Sequence, residues 1–196
     1  AFRHTSGDIM AFLNADDVLL PGALAYVARF FARHPEVDVV YGHRMVIDTH
    51  DRRVGIWVLP PHEDEMLRWT DCVPQETLFW RRELWDRAGG IDERFGFALD
   101  WDLLLRFRAA GATFRRLPRF LGGFRVHSSQ KTTRLAATGR QEIERLLARE
   151  HGRAVSRREA YERVRPYMRR HVAWHTAYRI GARFPAPRTS PEYLSG

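Results

Sequence analysis

Two adjacent carboxylates follow a short apolar run near the start of the chain. The run, residues 9–13, has the length and composition of a buried strand, and it stops at the letters NADD of residues 14–17. Asp16 and Asp17 repel each other unless a cation is present, and hard divalent cations prefer carboxylate oxygens. Because open α/β sheets bind ligands beyond the carboxyl ends of their strands, the pair is a candidate metal site. A cap for the helix that follows explains Asp17 equally well.

A second pair of carboxylates, Asp100 and Asp102, lies at the start of a predicted helix, Trp101 to Ala110. One of the two acids can cap the helix, and the other is then free to act as a general base. Acidic residues also favour helix N-termini because they match the helix dipole, so both acids can equally be structural. The pattern alone leaves these two interpretations open.

The segment from Phe124 to Thr132 collects cationic and titratable side chains at the end of a predicted strand. It contains Arg125, His127 and Lys131, which is the only lysine of the chain. A guanidinium, an imidazole and an ammonium group together suit a diphosphate or a metal–diphosphate complex. A single histidine is more often structural than a ligand, but these neighbours favour a binding role.

Polar side chains precede a short apolar strand that ends at residue 80. Gln75 and Glu76 come just before the predicted strand Thr77 to Trp80. Aromatic rings beside amide groups are common in binding sites for sugars, which makes Gln75, Glu76 and Trp80 candidate substrate contacts. A core tryptophan flanked by solvated arginines is the alternative.

The elements that must position these groups follow from hydrophobic patterning. A helix from Pro21 to Arg33 connects the strand at residues 9–13 to a second buried strand, Val37 to Gly42, which gives a strand–helix–strand unit. The pattern predicts further elements downstream: a hairpin over residues 45–59, helices at 63–69 and 82–88, and strands at 113–117 and 121–126. This alternation indicates an α/β fold.

Beyond residue 133 the strand signals stop, and two arginine-rich helical segments follow. Sequences typical of capping boxes begin at Thr138 and Ser156. Pro166 is expected to kink or end the second helix. From Phe184 onward, frequent proline, serine and glycine predict a loose tail.

The composition is that of a folded protein, since hydrophobic residues make up 44% and aromatic residues 12% of the chain. No apolar run is long enough to span a bilayer, and the single cysteine, Cys72, excludes an internal disulfide. The net charge of +8 is unevenly divided, because residues 1–102 carry −7 and residues 103–196 carry +15. An acidic half suits a cation site, while a basic half suits phosphates, anionic lipid or nucleic acid, or is simply a solvated surface.

Taken together and in order, three stretches resemble the inverting glycosyltransferases of family 2, which have the GT-A fold. The stretches are GDIMAFLNADDVLLPGAL, GGIDERFGFALDWDLLLRFRAAG and FRVHSSQKT. The resemblance covers about two-thirds of the chain. It implies a GT-A-like mixed sheet flanked by helices in residues 1–133, and a basic helical extension with its tail in residues 134–196.

The family opens with an apolar strand and a nucleoside-binding half-site that have no counterpart in these residues. The resemblance therefore implies that the catalytic domain is incomplete at the N-terminus. It also implies that residues 1–196 alone are inactive.

The resemblance assigns roles on the donor side of the reaction. Asp16 and Asp17 would lie at a divalent cation, Mn²⁺ or Mg²⁺, with Asp16 the direct ligand. His127 would lie near this cation and the diphosphate of a nucleotide-sugar donor. Arg125 or Lys131 would help to neutralise that diphosphate.

On the acceptor side, the resemblance implies that Asp100 is the base that removes a proton from the acceptor hydroxyl. The chain departs from the family pattern at two positions, with Asn14 in place of a common Asp and Leu99 in place of the usual Glu before the base. Asp102 is therefore kept as a second candidate for the catalytic carboxylate.

Enzymes of this kind often build lipid-linked glycans, so the resemblance implies a glycan or lipid-linked acceptor and a cytoplasmic protein. The basic extension, residues 134–196, contains interleaved aromatic residues. It fits either peripheral contact with an anionic membrane or a helical appendage packed on the catalytic domain.

Two other functions remain open from the residues alone. A sugar-phosphate nucleotidyltransferase also uses acidic metal ligands on a related fold, but it needs no base at Asp100 to deprotonate a hydroxyl. A basic module that binds nucleic acid or other anions could be built on residues 134–196. No helix-turn-helix, zinc or RNA-binding signature supports that second option, so we expect no nucleic-acid partner.

Overall fold

The computed structural model describes residues 2–127 and 136–181. It shows an α/β fold in which a mixed sheet carries helices on both faces, as the sequence predicts. Lys131, the predicted contact to the diphosphate, and the predicted tail from Phe184 lie outside the described residues.

The sheet has six strands within these residues. They are Ile9–Met10 (β1), Val18–Leu19 (β2), Val39–Ile47 (β3), Arg53–Trp57 (β4), Phe79–Arg81 (β5) and Phe114–Arg125 (β6). The order across the sheet is β1-β5-β3-β6-β2, and β4 pairs with the second half of β3. β3 and β6 run parallel, while the other pairs are antiparallel. The predicted strand–helix–strand unit is present, with β5 inserted between its two strands.

Six helices are present in the described part of the chain. They are Ala23–Arg33 (α1), Asp64–Leu67 (α2), Arg82–Ala88 (α3), Leu99–Ala109 (α4), Ala136–His151 (α5) and Arg157–Arg179 (α6). None of these described helices combines the length and the apolar character needed to cross a bilayer.

Alternation along the central strands divides the core between the two faces of the sheet. Val39 and Tyr41 of β3 lie on one face with Trp80 of β5, packed against α3 and α4. Val40 and Phe79 lie on the other face, packed against α1. A third cluster joins α2 and α4 to α5. β3 and β5 therefore pack against helices on both sides of the sheet.

The two strands predicted at residues 113–117 and 121–126 form one continuous strand, β6. Pro118 lies inside it, where the pairing with β3 shifts register between Tyr41 and Arg44. Such an irregularity accommodates proline, which has no N–H to donate to the ladder. The prediction of two strands is wrong because this irregularity absorbs the proline without ending the strand.

In the C-terminal extension, one predicted cap is confirmed and one is wrong. Ser156 caps α6 by accepting a hydrogen bond from the Glu159 backbone N–H at 3.1 Å. Thr138 lies inside α5, which begins at Ala136, so it is not an N-cap. α6 continues through Pro166, which therefore does not end the helix.

Candidate active site

Asp16 and His127 come together at one end of the sheet. Asp16 lies in the loop between β1 and β2, and His127 follows the end of β6. Asp16 Oδ2 lies 2.9 Å from His127 Nε2, and both side chains are partly exposed. The hydrogen bond to His127 lowers the pKa of Asp16. A carboxylate oxygen and an imidazole nitrogen that reach solvent at the same point suit a divalent cation.

Asp17 is buried, and protein donors bind both of its carboxylate oxygens. Its Oδ1 accepts a hydrogen bond from the Arg125 backbone N–H at 3.0 Å, and its Oδ2 accepts one from Asn14 Nδ2 at 3.3 Å. Desolvation raises the pKa of Asp17. It does not cap α1, whose N-cap is Gly22. Asp17 therefore ties the loop between β1 and β2, residues 11–17 (the acid loop), to β6, which leaves Asp16 as the ligand candidate of the pair.

The arrangement around Asp16 provides few protein ligands. In residues 2–127 and 136–181, no group of three His, Cys, Asp or Glu side chains lies close enough together to hold a metal ion. The described site thus offers a carboxylate and an imidazole, and a cation held there would need further ligands from substrate or water.

Arg125 fastens the acid loop to the hairpin between β3 and β4. Its Nε donates to the Asp16 carbonyl at 2.7 Å, and its Nη1 donates to the Asp48 carbonyl at 2.8 Å. Its Nη2 also pairs with Asp51 at 2.6 Å. The residue predicted to contact a diphosphate is therefore also a structural tie, and its contact with a diphosphate stays a prediction.

Gln75 and Glu76 lie in a short 3₁₀ turn before β5, where Gln75 contacts the acid loop and Glu76 pairs with Arg44 of β3. Asn14 Nδ2 donates to Gln75 Oε1 at 2.8 Å. Arg44 donates to Glu76 from Nε and Nη2, each at 2.7 Å. Both residues are buried, with 7% and 2% of their surface exposed. The predicted sugar contacts at Gln75 and Glu76 are therefore corrected to a supporting role.

Trp80 has no exposed surface. Its ring lies 5.8 Å from that of Trp85 and 5.7 Å from that of Phe107, measured between centroids. A ring without exposed surface cannot stack on a sugar, so the prediction of a substrate contact is wrong. The alternative, a core tryptophan, is confirmed, because the alternation of β5 directs this side chain into the core.

The two acids of α4 have opposite environments. Asp102 has no exposed surface, and its carboxylate pairs with Arg106 at 2.8 Å and with Arg149 of α5 at 2.6 Å. Asp100 is partly exposed, and its Oδ1 accepts a hydrogen bond from the Trp101 backbone N–H at 2.9 Å. Two arginines enclose the Asp102 carboxylate and balance its charge. Asp102 is therefore corrected to a structural acid, and Asp100 remains the candidate base.

The sequence does not single out Asp71, an acid that interacts electrostatically with Asp100. Its side chain reaches solvent, yet desolvation by the surrounding protein and the charge of Asp100 raise its pKa well above the ordinary value. The Val73 backbone N–H donates to Asp71 at 3.2 Å. Nearby carboxyl groups favour retention of a proton by one of them. No motif marks this lone acid in an irregular segment, so only the fold reveals it.

Neither acid of the pair caps α4, which has Ala98 as its N-cap and no side-chain hydrogen bond at that position. The backbone N–H groups just before the helix are bound instead by Glu142 of α5. Sequence reasoning misses this residue because it lies on a different helix, distant along the chain.

Comparison with known proteins assigns these residues to a family. Residues 1–83 match the family model described as glycosyl transferase family 2. The O-antigen biosynthesis protein RfbC of Myxococcus xanthus is 32% identical over 133 residues, which are 68% of this chain. The part of the chain that the family model covers, residues 1–83, is of glycosyltransferase family 2.

Two further matches agree with membership of family 2. A PGL/p-HBAD biosynthesis glycosyltransferase of Mycobacterium tuberculosis (strain ATCC 25177 / H37Ra) is 31% identical over 102 residues, or 52% of this chain. S. aureus TarS has a similar fold, with a TM-score of 0.51 and 16% identity over 97% of this chain and 32% of TarS, which agrees with the predicted GT-A-like architecture. The chain spans 10% of RfbC and 38% of the mycobacterial protein.

The structural role of Asp102 predicts a loss of stability when its charge is removed. Asp102→Asn leaves Arg106 and Arg149 without their shared counterion, and we expect the free energy of unfolding to fall by about 3 kcal/mol. Urea denaturation measures this change. Asp92→Asn is the control, because Asp92 pairs with the exposed Arg94 and its loss should cost less than about 1 kcal/mol. Equal stability of the two variants would contradict the structural assignment.

Proposed function

We propose that this chain carries catalytic groups of an inverting glycosyltransferase, which moves a sugar from a nucleotide-diphosphate sugar to an acceptor hydroxyl. One observation carries the proposal: Asp100 is partly exposed, while its neighbour Asp102 has no exposed surface and is enclosed by arginines. A single displacement inverts the anomeric carbon and needs one base. Nucleotidyl transfer needs no such base, and the family match also favours sugar transfer.

Asp100 accepts the proton of the acceptor hydroxyl as the hydroxyl oxygen attacks the anomeric carbon. The hydrogen bond from the Trp101 backbone N–H orients its carboxylate. The charge of Asp100 is one of the causes that raise the pKa of Asp71, so the two acids interact in this site. General-base catalysis of this kind contributes roughly 10²–10⁴-fold, so binding and orientation of the donor must supply the rest.

A divalent cation, Mn²⁺ or Mg²⁺, is the proposed cofactor, and Asp16 and His127 are the residues that would hold it. Their adjacent, partly exposed oxygen and nitrogen atoms fit such an ion. When bound, the cation neutralises charge on the diphosphate leaving group. Arg125 keeps the loop that bears Asp16 in place, and Lys131 is proposed to contact the diphosphate.

We also propose a glycan or lipid-linked acceptor, reached from the cytoplasmic face of a membrane. The names of RfbC and of the mycobacterial relatives, which refer to O-antigen and PGL/p-HBAD biosynthesis, support this class of acceptor. On α6, Tyr161, Met168 and Val172 are 67%, 48% and 62% exposed, and Arg165 and Arg169 line the same shallow groove. Exposed apolar side chains beside arginines suit an anionic lipid surface. No nucleic-acid partner is proposed.

Removal of the proposed base tests the function directly. In the complete protein, Asp100→Asn should lower kcat for sugar transfer about 10²-fold or more and leave the donor KM within about twofold, because it removes proton transfer and not donor binding. Steady-state kinetics with a nucleotide sugar measure both constants. Asp86→Asn, an exposed acid on α3, is the control. An Asp100→Asn enzyme with normal kcat would refute the assignment of the base.

The proposed cation site is tested by Asp16→Ala. We expect this variant to lose Mn²⁺- or Mg²⁺-dependent turnover while its thermal unfolding midpoint stays close to that of the wild type, because the side chain is partly exposed. Asp8→Ala, an exposed acid next to β1, is the control and should keep its metal response. Wild-type activity that is unaffected by a chelator would contradict the metal proposal.

The membrane proposal predicts sedimentation with vesicles that contain anionic lipid, and binding that weakens as salt is added. Met168→Glu, which places a negative charge on the exposed face of α6, should weaken this binding. Leu24→Glu is the control, since Leu24 is 62% exposed on α1, away from that face. Failure of the wild type to bind anionic vesicles at low salt would leave α6 as a packed appendage only.

A further inference from the structure

The helix that carries Asp100 begins without a cap of its own. The first N–H groups of a helix have no partners within the helix, and a side chain at the N-cap position usually satisfies one of them. The N-cap of α4 is Ala98, whose side chain has no hydrogen-bonding atom. The N–H groups of residues 96–98, in the turn that leads into α4, also lie outside the helix and need acceptors of their own.

Glu142 of α5 supplies these acceptors. Its Oε1 accepts a hydrogen bond from the Gly96 backbone N–H at 2.9 Å, and its Oε2 accepts from the N–H groups of Phe97 and Ala98, each at 2.8 Å. Glu142 is 8% exposed. Desolvation raises its pKa, but these hydrogen bonds and the charge of Arg145 lower it overall, so the carboxylate is the favoured form. One charged group thus holds three consecutive N–H groups immediately before the catalytic helix.

A second contact fixes the same two helices further along. Arg149 lies two turns beyond Glu142 on α5, and it pairs with Asp102 of α4 at 2.6 Å. Between these two polar contacts, Leu146 and Leu147 are buried in a cluster that includes Trp101. α5 therefore contacts the chain on both sides of Asp100: at residues 96–98, just before α4, and at Asp102, in its first turn.

Close approach of α5 to this turn depends on Gly139. A Cβ atom at that position would lie 2.8 Å from the ring of Phe97, which is closer than ordinary van der Waals contact. Glycine therefore lets the backbone of α5 sit directly against the residue that Glu142 binds. Packing and hydrogen bonding together hold the turn in one conformation.

We propose that Glu142 is a positioning residue for the base, which acts by holding residues 96–98 so that the Asp100 carboxylate faces the acceptor hydroxyl. This inference rests on the proposed role of Asp100 in sugar transfer. Because Glu142 acts on the acceptor side of the reaction, its loss affects the chemical step and leaves binding of the donor near Asp16 unchanged. In this proposal the C-terminal extension contributes the residue that positions the base.

Glu142→Gln in the complete protein tests the proposal, because it keeps the shape of the side chain and removes its charge. We expect kcat per folded enzyme to fall about tenfold or more, with the donor KM within about twofold. Hydrogen exchange should report faster exchange of the amides at residues 96–98. Glu144→Gln is the matched control, since it removes the same charge from an exposed position of α5, where the carboxylate contacts Arg157.

Asp100→Asn is measured in parallel so that the two proposals can fail separately. If Asp100→Asn is inactive while Glu142→Gln keeps normal kcat and normal exchange at residues 96–98, the positioning role is overturned and the base assignment stands. If Asp100→Asn is active, the base assignment falls and the positioning role falls with it. Should Glu142→Gln not fold, Glu142→Asp, which keeps the charge but shortens the side chain, gives the same readouts.

Discussion

The cost of burying charge governs how this chain arranges its acids. An ionised carboxylate without partners is strongly unfavourable inside a protein, so every buried one must be matched by donors. The buried acids of the described residues are Asp17, Glu76, Asp102 and Glu142. Backbone N–H groups, side-chain amides or arginines bind each of them, and each such set of contacts immobilises a loop or a helix end. Asp16 and Asp100, which are partly exposed, lie next to these buried acids and are positioned with them.

Both acid motifs thus divide into one structural and one exposed carboxylate. Asp17 is bound by the backbone of Arg125, and Asp102 is bound by Arg149. Sequence spacing finds both pairs, but it cannot tell which member faces solvent, because that depends on partners distant in the chain. The resemblance to family 2 favours Asp100 as the base. The burial of Asp102 gives a physical reason to prefer Asp100 over Asp102.

The parts of the fold that depend on local periodicity are predictable from the sequence. α1, α3 and most of α4 follow their patterns closely. The strand predicted at residues 37–42 is present, but β3 also includes the first strand of the predicted hairpin, so two predicted strands are one. Errors arise where a distant contact overrides a local signal. Pro118 suggests a break, yet pairing with β3 carries β6 through it. Trp80 beside polar residues suggests a sugar contact, yet the direction of β5 buries it. Glu142 has no local signal at all, because its partners lie on another element.

The uneven charge of the chain has a structural explanation that the sequence alone leaves open. Basic residues of the extension pair with acids of the first half, as Arg149 does with Asp102 and Arg170 does with Glu63. In a further pair the acid, Glu150, belongs to the extension and the arginine, Arg68, to the first half. Some of the positive charge beyond residue 133 is therefore a counterion for the catalytic domain and is not available to phosphate or lipid. These pairs join α5 and α6 of the extension to α4 and to the residues that flank α2. Through Glu142 and Arg149, the extension contacts both the turn before α4 and the buried acid next to Asp100.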